Sequence, residues 1–588
     1  MKRITKLILA LLLVSVSACT KKDNPAVADT SSAGFTAYLD QMLIDVFSED
    51  SFSINFSFEN PEAYGIKQGL YTVGFTTQDG YNEWISYSQQ AIKDLGEFKD
   101  SELTLQQQID RDALVDYYTK EAALKDYYEY ETGNSNLGSL LSTNAQLSVY
   151  LDVFALRTKL DIEGYLNMMT TLPAYFQNYV DLEKQRQANG TGYSQDELNA
   201  IIEQAQTTVD SLNDSYFLIQ SFDQRISETT GITESEKEAF KVKNKAALLN
   251  EYKQAYQLLV DQLKLISGSA EIKTLADKPG GKAYFEALLQ RETGSSKTVK
   301  ETKSYITKKQ RTLLTQLQKI MVTHPDYINM IGNETYPAFS GSEAMIASLI
   351  KTVNDSGNFP KTSEFSYEIR KVDASMEASS SPAFYFTPTV DYQKTEKQFI
   401  YINGDYSDSL YSTMAHEGFP GHMYQFNYFR TLDAHPIRSV LTQSSNAEGW
   451  AVYAENYATS YMTGDESYTE FSQLYMQLLG LYWAEFDIGV NYDGWTLAEF
   501  TTQFEDLYGS QDGSKVKEQY LHLVANPTNT TMYYISNVYV YDLKQTMKTE
   551  LKDKYSDLIF HTEFLKEGST SFDVIEKYLN LYISENKE

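Results

Sequence analysis

The sequence predicts a large, mainly α-helical protein with one small β-sheet, and three observations support this fold class. Apolar residues recur at three- and four-residue spacing through most of the chain, which is the pattern of amphipathic helices. Between residues 365 and 403 the pattern changes to short runs rich in aromatic and β-branched side chains, which is typical of strands. Hydrophobic residues make up 42% of the 588 residues, enough for a sizeable core. We therefore expect a large two-lobed helical protein with a small sheet beside its active-site helices.

The first 18 residues have the composition of a bacterial lipoprotein signal peptide. Residues 2–6 include three basic side chains, and residues 7–16 form an apolar run too short to span a membrane. The run ends in Val-Ser-Ala-Cys, which is similar to a lipoprotein cleavage site, and Cys19 is the chain's single cysteine. We predict that Cys19 is lipidated and anchors the protein, outside the cytoplasm, to the bacterial membrane. The alternative is an ordinary secretory signal whose cysteine is accidental.

A helical N-terminal lobe is predicted to follow a short tether. Residues 19–34 are small and polar, which suits a flexible tether, and residues 35–360 are assigned to the lobe. Helical periodicity covers residues 36–48, 82–128, 160–186, 194–226, 233–266, 280–291 and 298–322. Clusters of Gly and Asn at 133–138 and 189–192 mark turns.

The remaining residues, 361–588, are assigned to a catalytic lobe that combines the sheet with further helices. Strands are predicted at 367–372, 383–386 and 398–402, and helices resume at about residue 408. The third strand directly precedes a helix that carries a histidine motif. An edge strand in that position could pair with an extended peptide, so we expect the third strand to present a substrate.

The charge balance excludes some partners. The net charge is −30, which argues against nucleic acid and against binding anionic lipid through a basic patch. Attachment to the membrane would then rest on the lipid at Cys19. No second cysteine is present, so no disulfide within the chain is possible. The sequence does not indicate an oligomeric state.

The most informative segment is 416–422, which reads His-Glu-Gly-Phe-Pro-Gly-His and holds two of the six histidines. Neutral imidazoles are good ligands for Zn²⁺, and Glu417 could act as base toward a water on the metal. The segment is a variant of H-E-x-x-H with two extra residues. Residues six apart on a regular helix diverge by roughly 240°. The Pro-Gly pair must therefore break the helix to bring His422 beside His416. The alternative is a helix that ends at Pro-Gly, with two incidental histidines.

A third ligand is expected from the segment 446–455. Glu448 lies 26 positions after His422 and shares a helix face with Glu455, seven residues further on. We predict that Glu448 completes a site for one Zn²⁺. Glu455 would hold a ligating histidine through its other ring nitrogen. The alternative for either glutamate is a solvated helix face.

These residues resemble a bacterial family catalogued as domain of unknown function 885, which is grouped by resemblance with gluzincin-type zinc metallopeptidases. The family carries an H-E-G-x-P-G-H block and an E-G-W-A block, which stand here at 416–422 and 448–451. Weaker blocks match in order at 281–284, 383–388, 402–403, 487–489 and 494–496. The resemblance covers roughly residues 35 to 585. It implies a mostly helical fold and a His, His, Glu zinc site with a neighbouring glutamate base.

The chain departs from the family pattern at two places. The family often has a histidine where Asn491 stands here. Its late P-G-Q-A-x-x-Y-x-x-G block corresponds to residues 527–536, where the Pro and Tyr533 are kept but the Gly-Gln pair and the final Gly are not. These departures concern substrate contacts and leave the proposed metal ligands unchanged.

Together the motifs predict a zinc metallopeptidase that hydrolyses peptide bonds, with Glu417 as the base. Tyr533, which aligns with the family's tyrosine, is expected to stabilise the developing oxyanion; Tyr534 and His522 are the alternatives. No serine- or cysteine-centred nucleophile motif competes. Two other functions remain open: a zinc amide hydrolase that acts on cell-wall peptides, and a non-catalytic surface-binding lipoprotein. The sequence does not distinguish endopeptidase from exopeptidase action.

Overall fold

The computed structural model of the protein describes residues 29–133, 143–374, 377 and 381–587. Helices dominate these residues and accompany a three-stranded sheet, which confirms the predicted fold class. The predicted signal peptide, Cys19 and most of the predicted turn at 133–138 lie outside the described residues. None of the described helices combines the length and the apolar character that a membrane crossing requires.

The first helices lie between the N-terminus and the sheet. In the described part of the chain they are α1 (Ser32–Asp45), α2 (Ser53–Ser57), α3 (Gln78–Leu95), α4 (Leu105–Ala123), α5 (Tyr128–Gly133), α6 (Thr143–Val153), α7 (Lys159–Asn189), α8 (Gln195–Ser211), α9 (Phe217–Glu228), α10 (Glu234–Ala247), α11 (Lys253–Leu263), α12 (Gly281–Thr293), α13 (Val299–Thr323), α14 (Tyr327–Met330) and α15 (Ser342–Ser356). A π-helical turn, Leu248–Tyr252, joins α10 to α11.

Four of the predicted helical segments correspond to single helices, namely α1, α7, α12 and α13. The segments 82–128 and 194–226 are helical as well, and each contains two main helices. The break in the first segment precedes Thr104, whose hydroxyl accepts the N–H of Gln107 while the Gln107 side chain accepts the N–H of Thr104. This capping box satisfies orphan donors at the start of α4, so a new helix begins there.

The sheet consists of β1 (Tyr367–Lys371), β2 (Ala383–Phe386) and β3 (Gln398–Ile402), as predicted. Their order is β1-β3-β2, with β1 parallel and β2 antiparallel to β3. The expectation that β3 is an edge strand was wrong, because β3 pairs on both sides. A central strand has no free backbone edge and cannot pair with a peptide.

The remaining helices follow the sheet and contain the histidine motif. They are α16 (Tyr411–Glu417), α17 (His422–Phe429), α18 (Ser444–Ala458), α19 (Ser460–Thr463), α20 (Glu466–Ile488), α21 (Leu497–Tyr508), α22 (Gly513–Ala525), α23 (Asn529–Leu551), α24 (Asp557–Lys566) and α25 (Phe572–Asn586). A π-helical turn, Gly489–Asp493, extends α20.

Two large apolar clusters form the core. The first consists mainly of buried side chains from Phe35 to Ile266, and the second mainly of side chains from Leu275 to Ile583. Helices α12 to α15 therefore pack with the second cluster. The lobe boundary at residue 360 stays a prediction. The helix α1 begins at Ser32, so the last three residues of the predicted tether are helical.

Candidate metal centre

The histidine motif folds as two helices joined by a tight turn. The helix α16 ends at Glu417, and α17 begins at His422. In the turn the N–H of Gly421 donates to the carbonyl of Ala415 at 2.9 Å. The rings of His416 and His422 meet edge to face, with centroids 4.8 Å apart. The predicted break at Pro-Gly is confirmed, and it removes the angular separation of a continuous helix.

Both glycines of the motif lie where a side chain has no room. A Cβ at Gly421 would collide with the carbonyl oxygens of His416 and Ala415. A Cβ at Gly418 would lie 2.5 Å from Cδ1 of Ile346 and 2.8 Å from the carbonyl oxygen of Met414. The turn can close tightly only because both residues lack a Cβ.

The third predicted ligand comes from the first half of α18. Oε2 of Glu448 lies 3.5 Å from Nε2 of His416 and 3.7 Å from Nε2 of His422. One ligand atom from each residue can be chosen so that all three lie within 4.8 Å of one another. Two atoms bound to one tetrahedral zinc at about 2.0–2.2 Å lie roughly 3.4 Å apart. The cluster therefore has nearly the spacing that a shared zinc ion requires.

The burial of the cluster also fits a metal site. His416, His422 and Glu448 are each at most 1% exposed. Neither ring nitrogen of His422 has a hydrogen-bond partner among the described residues, and the same holds for Oε2 of Glu448. Polar atoms buried without a partner cost free energy, and a coordinated cation would satisfy them. The donor set of two imidazoles and one carboxylate is one that zinc accepts.

Glu455 lies two turns further along α18, on the same side. Its Oε2 is 3.5 Å from Nδ1 of His416, the ring nitrogen that faces away from Glu448. Burial lowers the pKa of His416, but the carboxylates of Glu448, Glu455 and Glu417 raise it, for a net rise to about 10. Three carboxylates thus surround one imidazole, and a bound cation would balance their negative charge. Glu455 has the placement expected of a carboxylate that orients a ligating histidine.

Glu417 lies beside the cluster without belonging to it. Its side chain is 1% exposed, and its Oε2 has no hydrogen-bond partner among the described residues. Burial raises the pKa of Glu417 to about 8, aided by the Glu448 carboxylate and opposed by His416 and by the backbone N–H of Tyr385 in β2. A carboxylate whose pKa lies near neutrality is suited to accept a proton and release it again.

The helix α23 packs closely on α18 and brings tyrosines to the site. A Cβ at Gly449 would meet the backbone of Ser536 at 2.8–2.9 Å, so the glycine permits this approach. Burial raises the pKa of the Glu448 carboxyl group, and His416 and a hydrogen bond from the hydroxyl of Tyr533 oppose this rise. Tyr534 packs instead against Gly480 of α20. Tyr533, the tyrosine that aligns with the family's, therefore lies beside Glu448.

His522 and Asn491 have different surroundings. Burial lowers the pKa of His522 to about 4. The amide of Asn491 donates to Oδ1 of Asp487 at 3.1 Å and to the carbonyl of Leu523. The Asp487 carboxylate also accepts the backbone N–H groups of Thr528 and Thr531. Asn491 and the segment 527–536, where the chain departs from the family pattern, are thus connected through Asp487 at the start of α23. This helix carries Tyr533.

Trp450 is a site-supporting residue that the sequence motif did not reveal. Its indole N–H donates to the carbonyl of Pro420 at 2.9 Å, and the side chain is fully buried. The ring stacks on Phe564 and contacts Phe359 edge to face. Through this hydrogen bond α18, which carries Glu448, is attached to the turn between the two histidines. The sequence shows this tryptophan in the E-G-W-A block, but it does not show that the indole binds a backbone carbonyl.

Replacing Trp450 with phenylalanine is expected to lower zinc affinity about tenfold. The ring and most of its packing remain, but the buried carbonyl of Pro420 loses its donor, at a cost of about 1–3 kcal/mol. Zinc titration with a competing chelator measures the affinity. The matched control is Trp483→Phe, because Trp483 donates to the hydroxyl of Tyr508 in a separate apolar cluster. Equal zinc affinity in both variants would show that the indole N–H does not position the ligands.

Comparisons with known proteins agree with the fold. The model of a family described as "Bacterial protein of unknown function (DUF885)" matches residues 64–579. A candidate lipoprotein from Colwellia psychrerythraea has a similar crystal structure, with a TM-score of 0.79 at 15% identity over 95% of this chain and 100% of that one. A candidate lipoprotein of unknown function from Shewanella oneidensis has a TM-score of 0.60 at 16% identity over 94% and 100%. No curated protein matches the chain.

Proposed function

This chain belongs to the bacterial DUF885 family, whose function is unknown, and from that premise we propose that it is a zinc-dependent peptidase. One observation carries the proposal. His416, His422 and Glu448 converge in a buried cluster, and Glu417 lies next to it as a carboxylate that is not needed as a ligand. A purely structural zinc site usually has four protein ligands and no neighbouring base.

The chemistry of the proposal divides between the metal and the chain. Zinc held by His416, His422 and Glu448 would polarise the scissile carbonyl and acidify a water molecule. Glu417 takes the proton of the attacking water on its carboxylate and later delivers it to the leaving amine. Burial of the four side chains excludes bulk water, which strengthens the electrostatic interactions within the site. Glu455 fixes the orientation of His416 through Nδ1.

Tyr533 is the second catalytic residue in the proposal. Its hydroxyl already reaches the Glu448 carboxylate, so it lies within the same group of side chains as the metal ligands. A hydroxyl donor there can stabilise the negative charge that develops on the substrate's carbonyl oxygen. The ring is buried between Val452 and Met532, which fixes its position.

Metal analysis combined with a peptide screen tests the proposal. Purified protein should contain about one zinc per chain and should cleave members of an unbiased peptide library. A strong chelator should abolish the cleavage, and added zinc should restore it. Protein that binds stoichiometric zinc but cleaves no peptide would retain the metal site and reject the peptidase function. Cleavage that is unaffected by the chelator would reject the metal mechanism.

We further propose that the protein is anchored outside the cytoplasm through lipid on Cys19. The motif at the N-terminus supports this, as does the similarity to two proteins described as candidate lipoproteins. Replacing Cys19 with serine is expected to release the protein from the membrane fraction or to block its processing, because several acyl chains anchor stably where one does not. Cell fractionation checks this. A Ser17→Ala variant keeps the cysteine and serves as control. A Cys19→Ser protein that still sediments with membranes would point to another anchor.

A further inference from the structure

The helix α13 exposes a cationic face on a strongly acidic protein. It buries a narrow stripe of side chains that includes Ile306, Leu313 and Leu317. The opposite side bears four solvent-exposed cations, Lys300, Lys308, Arg311 and Lys319. On a regular helix these four lie within an arc of roughly 100° and extend over about 28 Å. We name these four residues the cationic face of α13.

The charges of this face are not neutralised within the protein. Two other lysines of α13 have partners, since Lys303 pairs with Asp493 and Lys309 with Asp542. Among the described residues none of the four cations of the face forms an ion pair. Glu301 is the one carboxylate in the sequence of α13, and its Oε2 accepts the N–H and hydroxyl of Thr298. The face therefore presents a net positive charge to solvent, which Glu301 partly offsets at the end that bears Lys300.

Apolar side chains lie on the same side of the helix. Val322 is 84% exposed and Leu314 is 38% exposed, and both lie close in angle to the cations. Just beyond the helix, Ile328 and Met330 are 37% and 41% exposed. Basic side chains attract anionic headgroups, and exposed apolar side chains beside them can enter the headgroup boundary, so the surface combines both contributions to bilayer binding.

We propose that the cationic face of α13 docks on the anionic headgroup surface of a membrane, with Val322 and Leu314 entering the interface. The charge of the face is complementary to phosphate groups, and the exposed apolar residues distinguish a bilayer from a purely ionic partner. The net charge of −30 led us to expect no basic patch. Charges more than about 10 Å away are screened at moderate salt, however, so the local face determines the contact. This inference does not depend on the peptidase function.

Vesicle sedimentation tests the inference with the processed chain, which begins at residue 19 and carries Cys19→Ser, so that it lacks both the predicted signal peptide and the proposed lipid anchor. The vesicles are phosphatidylcholine alone, or an equimolar mixture with phosphatidylglycerol. We expect binding to the mixed vesicles, weakened by salt, and little binding to phosphatidylcholine. Neutralising two cations in Lys308→Gln/Arg311→Gln should lower the partition coefficient roughly 25-fold, because each basic residue near an anionic surface contributes about fivefold. Val322→Ser should weaken binding further.

The control has the same change in net charge at another place. Lys93→Gln/Lys125→Gln removes two exposed lysines of the first lobe and should bind the mixed vesicles as the parent does. Thermal unfolding of each variant should match that of the parent, because the substituted side chains are exposed. Equal loss in both double variants would assign the binding to net charge and overturn the proposal. Binding to a soluble polyanion such as polyphosphate, with none to vesicles, would also overturn it.

Discussion

Replacing His422 with alanine is expected to reduce bound zinc to background while the protein remains folded. The substitution leaves His416 and Glu448 as ligands, and two protein ligands do not hold zinc against competition from buffer. Folding should tolerate the change in the metal-free protein, because both ring nitrogens of His422 are buried without hydrogen-bond partners among the described residues. Elemental analysis of purified protein measures the metal, and circular dichroism with thermal unfolding measures the fold.

His435→Ala is the matched control. The His435 side chain is also largely buried, but its ring pairs with Asp40 at 3.2 Å, and neither residue belongs to the metal cluster. This variant should keep one zinc per chain. Stoichiometric zinc in His422→Ala would remove the argument that the broken helix assembles the site. Loss of zinc in both variants, with loss of the folded signal, would instead assign the effect to stability.

The arrangement of the metal cluster was predictable because its determinants are local. A Pro-Gly pair inside a helical segment favours a break, and a break between His416 and His422 allows the two histidines to converge. Glu448 and Glu455 are seven residues apart on one helix, which places them on one side of it. The distances between the side chains agree with both arguments. Trp450 was not predictable, because its partner is the backbone carbonyl of Pro420, thirty residues earlier.

The positions of the strands were predictable, but their order was not. Alternating aromatic and β-branched residues indicate a strand without naming its neighbours. The third strand, β3, inserts between the two strands that precede it in the sequence, and no local pattern records this order. Its central position removes the peptide-pairing role expected for 398–402. The strand that borders the motif is β2, whose Tyr385 N–H reaches Glu417.

The positions of the helix ends and the local charge of the surface could not be predicted from the sequence. Apolar periodicity continues across 82–128 and 194–226, although a break divides each segment into two helices, and a capping box marks the break only in the first. Capping residues are common in loops and helices alike, so Thr104 alone does not indicate that a new helix begins there. Net charge averages over the whole surface and therefore hides the cationic face of α13. The cationic face depends on which residues share one side of α13 after folding, and the sequence alone does not show this.

Replacing Glu417 with glutamine is expected to preserve bound zinc and to lower turnover by at least ~10²-fold, the usual contribution of a general base. Glutamine has the shape of the carboxylate, and its amide oxygen can still accept the N–H of Tyr385, so the local structure should remain. It cannot take a proton from water at neutral pH. Because Glu417 is not among the three clustered ligands, the metal should remain bound. Zinc content and steady-state kinetics on a confirmed peptide substrate measure the two effects separately.

Glu567→Gln is the matched control for this comparison. Glu567 is also fully buried, and burial raises its pKa to about 8 as well, but it lies beside Arg438 and is not part of the cluster of His416, His422 and Glu448. If turnover depended only on removing a buried carboxyl group, both variants would lose activity to a similar degree. We expect the loss in Glu417→Gln alone. Unchanged turnover in Glu417→Gln would reject its role as the base, and loss of zinc there would make Glu417 a ligand. Retained zinc with lost turnover is the result that separates a catalytic centre from a structural one.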